Sequence, residues 1–277
     1  MAGSVAFLQA LAEAHDWCEA LGHASVQARH CRLVSDPAYP LVWSANHASG
    51  VRAATPDAIE ETLADIQAAF PRSPCWVVDS DAFTPAPFLA RLALDGWQEQ
   101  PAVILMSLDE AVAAAEVPGL EIVPVRANAA RDELRRLHRR DLEEGGRTGA
   151  PLSDEVIDGL FEGLQSKAAA GRVLLGRIDG RACAYAMALP APGGFGFIDD
   201  VFTAPEFRRR GVAAAMVAAC VAYLRDEGAR TSFLTALASA PPKRIYARLG
   251  FRPRMLARRW LWHAPPGAPD HPPTVSA

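Results

Sequence analysis

The feature that most restricts the fold is the stretch from Phe195 to Cys220, where an apolar run, a turn and an apolar helix follow one another without a break. Residues 195–203 are rich in aromatic and β-branched side chains and read as a strand. Ala204-Pro205-Glu206 turns the chain. Arg208-Arg209-Arg210-Gly211-Val212-Ala213 then leads into a long Ala/Val-rich helix over 212–225, which ends near Gly228. Gly211 and the small Ala213 let a ligand approach the backbone closely. The first amides of such a helix lack intrahelical acceptors, its dipole is positive there, and three arginines stand beside it. This is the chemistry of an anion site, and a diphosphate is its natural occupant. A solvated basic turn has the same composition; the strand before it and the ordered elements after it favour the ligand site.

Those elements define two segments, 1–117 and 118–264, followed by a Pro-, Gly- and Ala-rich tail over 265–277 that is expected to be flexible. In the second segment, 121–125 reads as a strand. Residues 128–144 form a charged helix with Leu134, Leu137 and Leu142 inward and a stop at Gly145-Gly146. Ser153 is the N-cap of the next helix, with Val156, Leu160 and Leu164 on its inner face. Strands over 172–178 and 182–189 flank Asp179-Gly180, a two-residue hairpin signal. After the central strand–turn–helix come a strand over 232–235, a short helix over 242–249 stopped by Gly250, and a strand over 259–263. The order β-α-α-β-β-β-α-β-α-β predicts a layered α/β (α+β) fold around one sheet. The first segment reads as helices over 5–21, from Thr55 and over 87–94, with strands at 41–45, 75–78 and 102–106. Residues 109–116 suggest a short helix and linker before Pro118-Gly119.

Composition narrows the function. The formal net charge of -4 gives no general attraction to nucleic acid or acidic membranes, so neither is an expected partner. Arg252, Arg254, Arg258 and Arg259 with Trp260 and Trp262 read as a basic rim on a strand with paired aromatics. Cys18, Cys31, Cys75, Cys183 and Cys220 are scattered, form no metal-ligand spacing and read as reduced thiols. No metal is expected. The N-terminus lacks a signal-peptide core and no stretch is long enough to span a bilayer, so a cytoplasmic protein is expected.

Arg208, Gly211 and Ala213 match the [Q/R]-x-x-G-x-[G/A] signature of the GCN5-related N-acetyltransferase (GNAT) superfamily, which the second segment resembles. The preceding run from Asp199 to Phe207 is similar to that family's fourth strand. Arg244-Ile245-Tyr246-Ala247-Arg248-Leu249-Gly250-Phe251 is similar to its L-Y-x-x-x-G-F element. The resemblance implies a mixed central sheet flanked by helices and acetyl-CoA as co-substrate. It places the pyrophosphate on the amides from Arg209 through Arg210, Gly211, Val212 and Ala213 to Ala214. The backbone of Val201, Phe202 and Thr203 would pair with the pantetheine arm. Tyr246 would be the general acid toward the thioester sulfur. Ser239 stands where the family usually has Asn near the pantetheine, and Glu143 and Glu144 stand where it lines the acceptor pocket.

Acetyl transfer to an amine needs a base for the ammonium proton. Asp199 and Asp200 lie side by side in an apolar strand, and alternation would point them to opposite faces, leaving one toward the cleft. Which of the two is the base stays open. His138 and the run 131–140 read as a solvated face with i,i+4 pairs. The expected function is acetyl transfer from acetyl-CoA to a primary amine on a small molecule or peptide; the alternative is an idle CoA-binding sensor or scaffold.

In the first segment, Phe88 to Trp97 repeats the layout of Ile245 to Phe251: short helix, glycine, aromatic, then a strand. It looks like a degenerate GNAT fold without the signature and without the tyrosine. It is expected to be non-catalytic, shaping the acceptor pocket or supporting a homodimer; an unrelated α/β accessory domain is the alternative.

Overall fold

The computed structural model describes residues 4–71, 73–113, 115–145 and 152–263. The tail over 265–277 and Gly146 of the expected helix stop lie outside them. The chain divides into two compact units, one of Met1–Ile104, Leu237–Ser239 and Met255–Ala277, the other of Leu105–Ala236 and Ala240–Arg254. The units are therefore not consecutive stretches, unlike the division drawn at 117/118 from the sequence.

The first unit runs α1 (Val5–Glu19), β1 (Ala24–Gln27), β2 (Arg32–Ser35), β3 (His47–Ser49), α2 (Pro56–Ala69), β4 (Cys75–Ser80), α3 (Ala86–Leu94), β5 (Gln98–Glu99) and the start of β6 (Val103–Leu108). β1, β2 and β3 are antiparallel neighbours, and β3 lies parallel to β4 at Ala48↔Val78. β12 (Arg252–His263) pairs antiparallel with β4, from Arg258↔Ser80 to His263↔Cys75. Two facing pairs fasten it there. Trp262 stacks on Trp76 with ring centroids 4.6 Å apart, a contact of about 0.5–1.5 kcal/mol beyond its buried area. Arg259 grips Asp79 through two hydrogen bonds of 2.7 and 2.6 Å. That pairing holds the Asp79 carboxyl below its ordinary range against the burial that opposes it.

The sequence predicts a strand over 41–45, whereas Trp43–Ala45 is a 3₁₀ turn and the strand begins at His47. Asn46 decides this. Its amide donates to the carbonyls of Tyr39 and Val42 at 2.8 and 3.1 Å, and its side-chain oxygen accepts from the Asp36 amide at 3.1 Å. These bonds close a turn that an apolar run alone does not reveal. β1 escaped the sequence reading because all its residues are exposed and it shows no alternation. The described residues of 109–116 form no helix. Instead Asp109 is tethered, accepting from the Thr231 hydroxyl at 2.8 Å and facing Arg254 at 3.8 Å.

From Leu120 the chain follows the predicted order of elements: β7 (Leu120–Pro124), α4 (Asn128–Gly145), α5 (Asp154–Ala168), β8 (Arg172–Ile178), β9 (Arg181–Ala191), β10 (Phe195–Thr203), α6 (Val212–Asp226), β11 (Thr231–Leu237), α7 (Lys243–Arg248) and then β12, of which only Arg252–Arg254 belong to the second unit. β7 to β10 form an antiparallel run, and β11 joins β10 in parallel. The β8–β9 hairpin turns where expected, with Asp179 at φ 51° and Gly180 at φ 74°, the pair of positive values a type I′ turn requires. Ser153 caps α5 by accepting from the Val156 amide at 3.3 Å. Phe197 stacks on Phe233 across the parallel pair, centroids 4.8 Å apart. No described helix is long and apolar enough to cross a membrane. All five cysteines are buried thiols.

Candidate active site

The site forms where β10 loses its neighbour. Parallel pairing with β11 runs from Phe195↔Thr231 only to Ile198↔Leu234. On its other edge β10 keeps β9, with a bulge between Asp199↔Met187 and Phe202↔Tyr185. Asp200 takes the extra position at φ 52°, a left-handed conformation that aspartate tolerates better than most residues. Its amide donates to the Asp199 carboxylate at 3.0 Å. The bulge breaks the alternation expected for the two aspartates. Burial, and after it the charges of Asp200, Asp141 and Asp199, push the Tyr185 hydroxyl well above its ordinary value.

Val201, Phe202 and Thr203 thus line an edge that β11 does not cover, Phe202 and Thr203 being buried. The Thr203 hydroxyl is buried and has no hydrogen-bond partner. Such orphans are rare and mark a place where something else is expected to bind.

The turn that follows holds Arg209 at φ 63° and Gly211 at φ 89°. Gly211 is the N-cap of α6 and, having no side chain, caps nothing. The first helical bond is from the Ala215 amide to the Gly211 carbonyl at 3.0 Å, so Val212, Ala213 and Ala214 present amides without intrahelical acceptors. A Cβ on Gly211 would meet Val117 at 3.3 Å, in a backbone conformation that already disfavours side chains. Arg208 is partly spent on structure: its Nε donates to the Thr203 carbonyl at 2.8 Å, and its guanidinium pairs with Glu144. Arg209 and Arg210 are exposed and make no ion pair with a described residue.

In the first unit the matching helix start is closed. The Thr55 hydroxyl accepts from the Ala58 amide at 3.4 Å, and Pro56 occupies the first turn.

Tyr246 is buried on α7, its ring edge-on to Phe251 at 6.3 Å. Burial, then the charge of Asp199, pushes its hydroxyl up to about 12, so it stays protonated at neutral pH. Asp199 faces the buried Lys167 at 3.6 Å. The Tyr185 hydroxyl donates to Asp141 on α4 at 2.7 Å. His138 lies one turn back, its ring 6.1 Å from that of Tyr185. It is buried, with Nδ1 unpartnered, and burial pushes it down to about 4, leaving it neutral.

This corrects the solvated reading of 131–140. Arg131, Arg135, Arg136 and Arg140 are exposed, but His138 is not. Arg135 and Arg139 reach across to Asp158 and Asp154 on α5 at 3.2 and 2.8 Å, rather than pairing mainly along their own helix. Asp141, Lys167 and Tyr185 were also missed. The signal was present: 134, 137, 138 and 141 form one helical stripe, and Lys167 falls on the stripe of Phe161 and Leu164.

Glu143 and Glu144 are exposed, Glu143 4.0 Å from Arg139 and Glu144 on Arg208. Ser239 is exposed in the turn after β11 and belongs to the first unit. The late arginines are engaged, Arg258 with Glu99 at 2.7 Å and Arg254 with Ser107 at 2.7 Å. Among the described residues no group of His, Cys, Asp or Glu could hold a metal.

Residues 131–251, which contain the α6 turn and Tyr246, match the model of the acetyltransferase (GNAT) family. The chain carries a GNAT domain. The fold likeness extends further, because a GCN5-related N-acetyltransferase from Kribbella flavida superposes with a TM-score of 0.69 at 19% identity, over 93% of this chain and 96% of that one. A functionally unknown conserved protein from Staphylococcus epidermidis gives 0.66 at 12% identity, over 87% and 94%. A tandem GNAT protein from the clavulanic acid biosynthesis pathway gives 0.58 at 16% identity, over 84% and 78%. At these identities the likeness is one of fold, and it takes in the first unit as well as the GNAT domain. No curated protein sequence matches the chain.

Proposed function

We propose that the GNAT domain transfers an acetyl group from acetyl-CoA to a primary amine by direct attack of the amine. The observation that carries this reading is the bare start of α6 beside the uncovered edge of β10, which ends in the orphaned Thr203 hydroxyl. When bound, acetyl-CoA supplies the activated acetyl group. The amides from Arg209 to Ala214 hold its pyrophosphate, with Arg209 and Arg210 adding charge. The backbone of Val201 to Thr203 bonds the pantetheine like an added strand.

Asp199, which faces Lys167 at 3.6 Å, accepts the proton of the incoming ammonium directly or through water. As the C–N bond forms and the C–S bond breaks, Tyr246 gives its proton to the departing sulfur and recovers one from the acylated nitrogen, while Asp199 passes its proton to solvent. Asp200 holds the bulge that aims Asp199. Glu143 and Glu144 are assigned to the acceptor side, exchanging their arginine partners for a cationic acceptor. The first unit is assigned a non-catalytic role, because Thr55 and Pro56 close the helix start that would otherwise take a pyrophosphate.

Isothermal titration with acetyl-CoA, joined to a free-thiol assay over an amine panel, tests the reading. Saturable binding and thiol release with at least one amine are expected; binding with no turnover on any amine overturns the transfer. Gly211→Asp is expected to abolish acetyl-CoA binding. The double variant Arg209→Glu/Arg210→Glu, at two exposed positions, is expected to weaken it by more than tenfold while the protein stays folded. Wild-type affinity in both removes the assigned site.

A further inference from the structure

The first unit holds a cavity of about 200 Å³ lined by Glu13 and Asp16 of α1, Gln27 of β1, Arg32 of β2, and Gly50 and Arg52 after β3. Its place in the topology is informative. β3 runs parallel to β4 as β10 does to β11, and the helix that follows each strand leads to the parallel partner. Just past the paired residues the backbone turns left-handed in both units, at Gly50 (φ 60°) and at Asp200 (φ 52°). The cavity therefore sits where the GNAT domain has its reaction cleft.

The groups are rearranged. A Cβ on Gly50 would lie 3.0 Å from the Asp16 carboxylate, so glycine makes room there for an acid carried by the helix. In the GNAT domain the acid is on the strand and the helix supplies Lys167.

The charged groups around the cavity are incompletely satisfied. Arg52 is committed to Asp81 through bonds of 2.9 and 3.3 Å. Asp16 makes no side-chain hydrogen bond or ion pair with a described residue, and neither does Arg32. Burial and the charges of Asp81 and Asp79 push the Asp16 carboxyl up to about 8, with Arg52 and Arg32 pulling the other way. A lone carboxyl and a lone guanidinium thus face one cavity without meeting each other. A ligand with both an ammonium and a carboxylate completes both.

We propose that this cleft of the first unit binds a free α-amino acid, its ammonium on Asp16 and Glu13 and its carboxylate on Arg32. The site is independent of acetyl-CoA and gives the non-catalytic unit a ligand of its own.

Titration of the full-length protein with the common amino acids, and with the matching amines and carboxylic acids, tests this. At least one amino acid is expected to bind saturably. Its decarboxylated amine and its deaminated acid are each expected to bind at least tenfold more weakly. Titration in buffers of different ionisation heat is expected to show proton release near pH 7, as the ammonium displaces the proton on Asp16.

Asp16→Asn, close in shape to the protonated acid, and Arg32→Gln, each checked for cooperative unfolding, are expected to weaken amino-acid binding at least tenfold and leave acetyl-CoA binding unchanged. If no amino acid binds, the proposal fails. It fails equally if the bare amine binds as well as the amino acid, or if both variants bind like wild type.

Discussion

Tyr246 and Asp199 divide the proposed proton traffic because one is a buried hydroxyl and the other a carboxylate facing a lysine. Burial and a neighbouring carboxylate keep the tyrosine hydroxyl protonated to about 12, while Lys167 stands by the aspartate. Tyr246→Phe retains the packing against Phe251 and deletes the proton. Steady-state kinetics is expected to show kcat lowered on the order of a hundredfold, with acetyl-CoA affinity by titration unchanged; equal kcat would remove the acid role.

Asp16 makes a prediction about stability. Its carboxyl holds a proton to about pH 8 in the folded chain but releases it near 3.8 when unfolded. The folded state therefore binds more protons between these values. The stability tied to that proton is complete below about 4 and is lost as pH rises through about 8. Thermal unfolding between pH 5 and 8.5 is expected to show a smaller fall in Tm for Asp16→Asn than for the wild type.

At the level of elements, the contrast between the starts of α6 and α2 explains why one unit carries a candidate phosphate site and the other does not. Both helices follow a strand and precede its parallel neighbour. One opens with a glycine that caps nothing, the other with a threonine that spends its hydroxyl on the Ala58 amide. α4 is joined to β9 by the half-buried bond from Tyr185 to Asp141. A hydrogen bond to a charged group contributes about 1.5–3 kcal/mol. Tyr185→Phe is expected to lower the free energy of unfolding by about that amount in urea titration. A change below about 0.5 kcal/mol, the ordinary scatter of surface substitutions, would mean that the bond does not tie the helix to the sheet.

For the whole molecule, the consequential feature is where the last strand goes. Met255 to His263 of β12 complete the first unit against β4, while Leu105 to Leu108 of β6 belong to the second. A fragment of residues 1–117 therefore lacks the partner of Trp76 and Asp79. Leaving this half-buried acid without its arginine removes charge-assisted hydrogen bonds that contribute about 1.5–3 kcal/mol, a large share of a small domain's stability. Circular dichroism of that fragment is expected to show no cooperative thermal transition. A sharp transition like that of the intact chain would mean that the unit does not depend on β12.

What the sequence determined by itself was local: the order of elements from residue 120 onward, the Asp179-Gly180 turn, the Ser153 cap, and the Arg208 to Ala213 helix start. Each depends on side chains within a few residues of one another, so periodicity and turn chemistry suffice. The tertiary structure decided what depends on distant partners. The bulge that brings Asp199 and Asp200 to bear on one tyrosine needs β9 opposite β10. The burial of His138 and Lys167 depends on what packs over their helices, and the fate of β12 on a strand some 180 positions away in the chain. No window of sequence contains both halves of such contacts, and the cleft with Asp16 and Arg32 belongs to the same class.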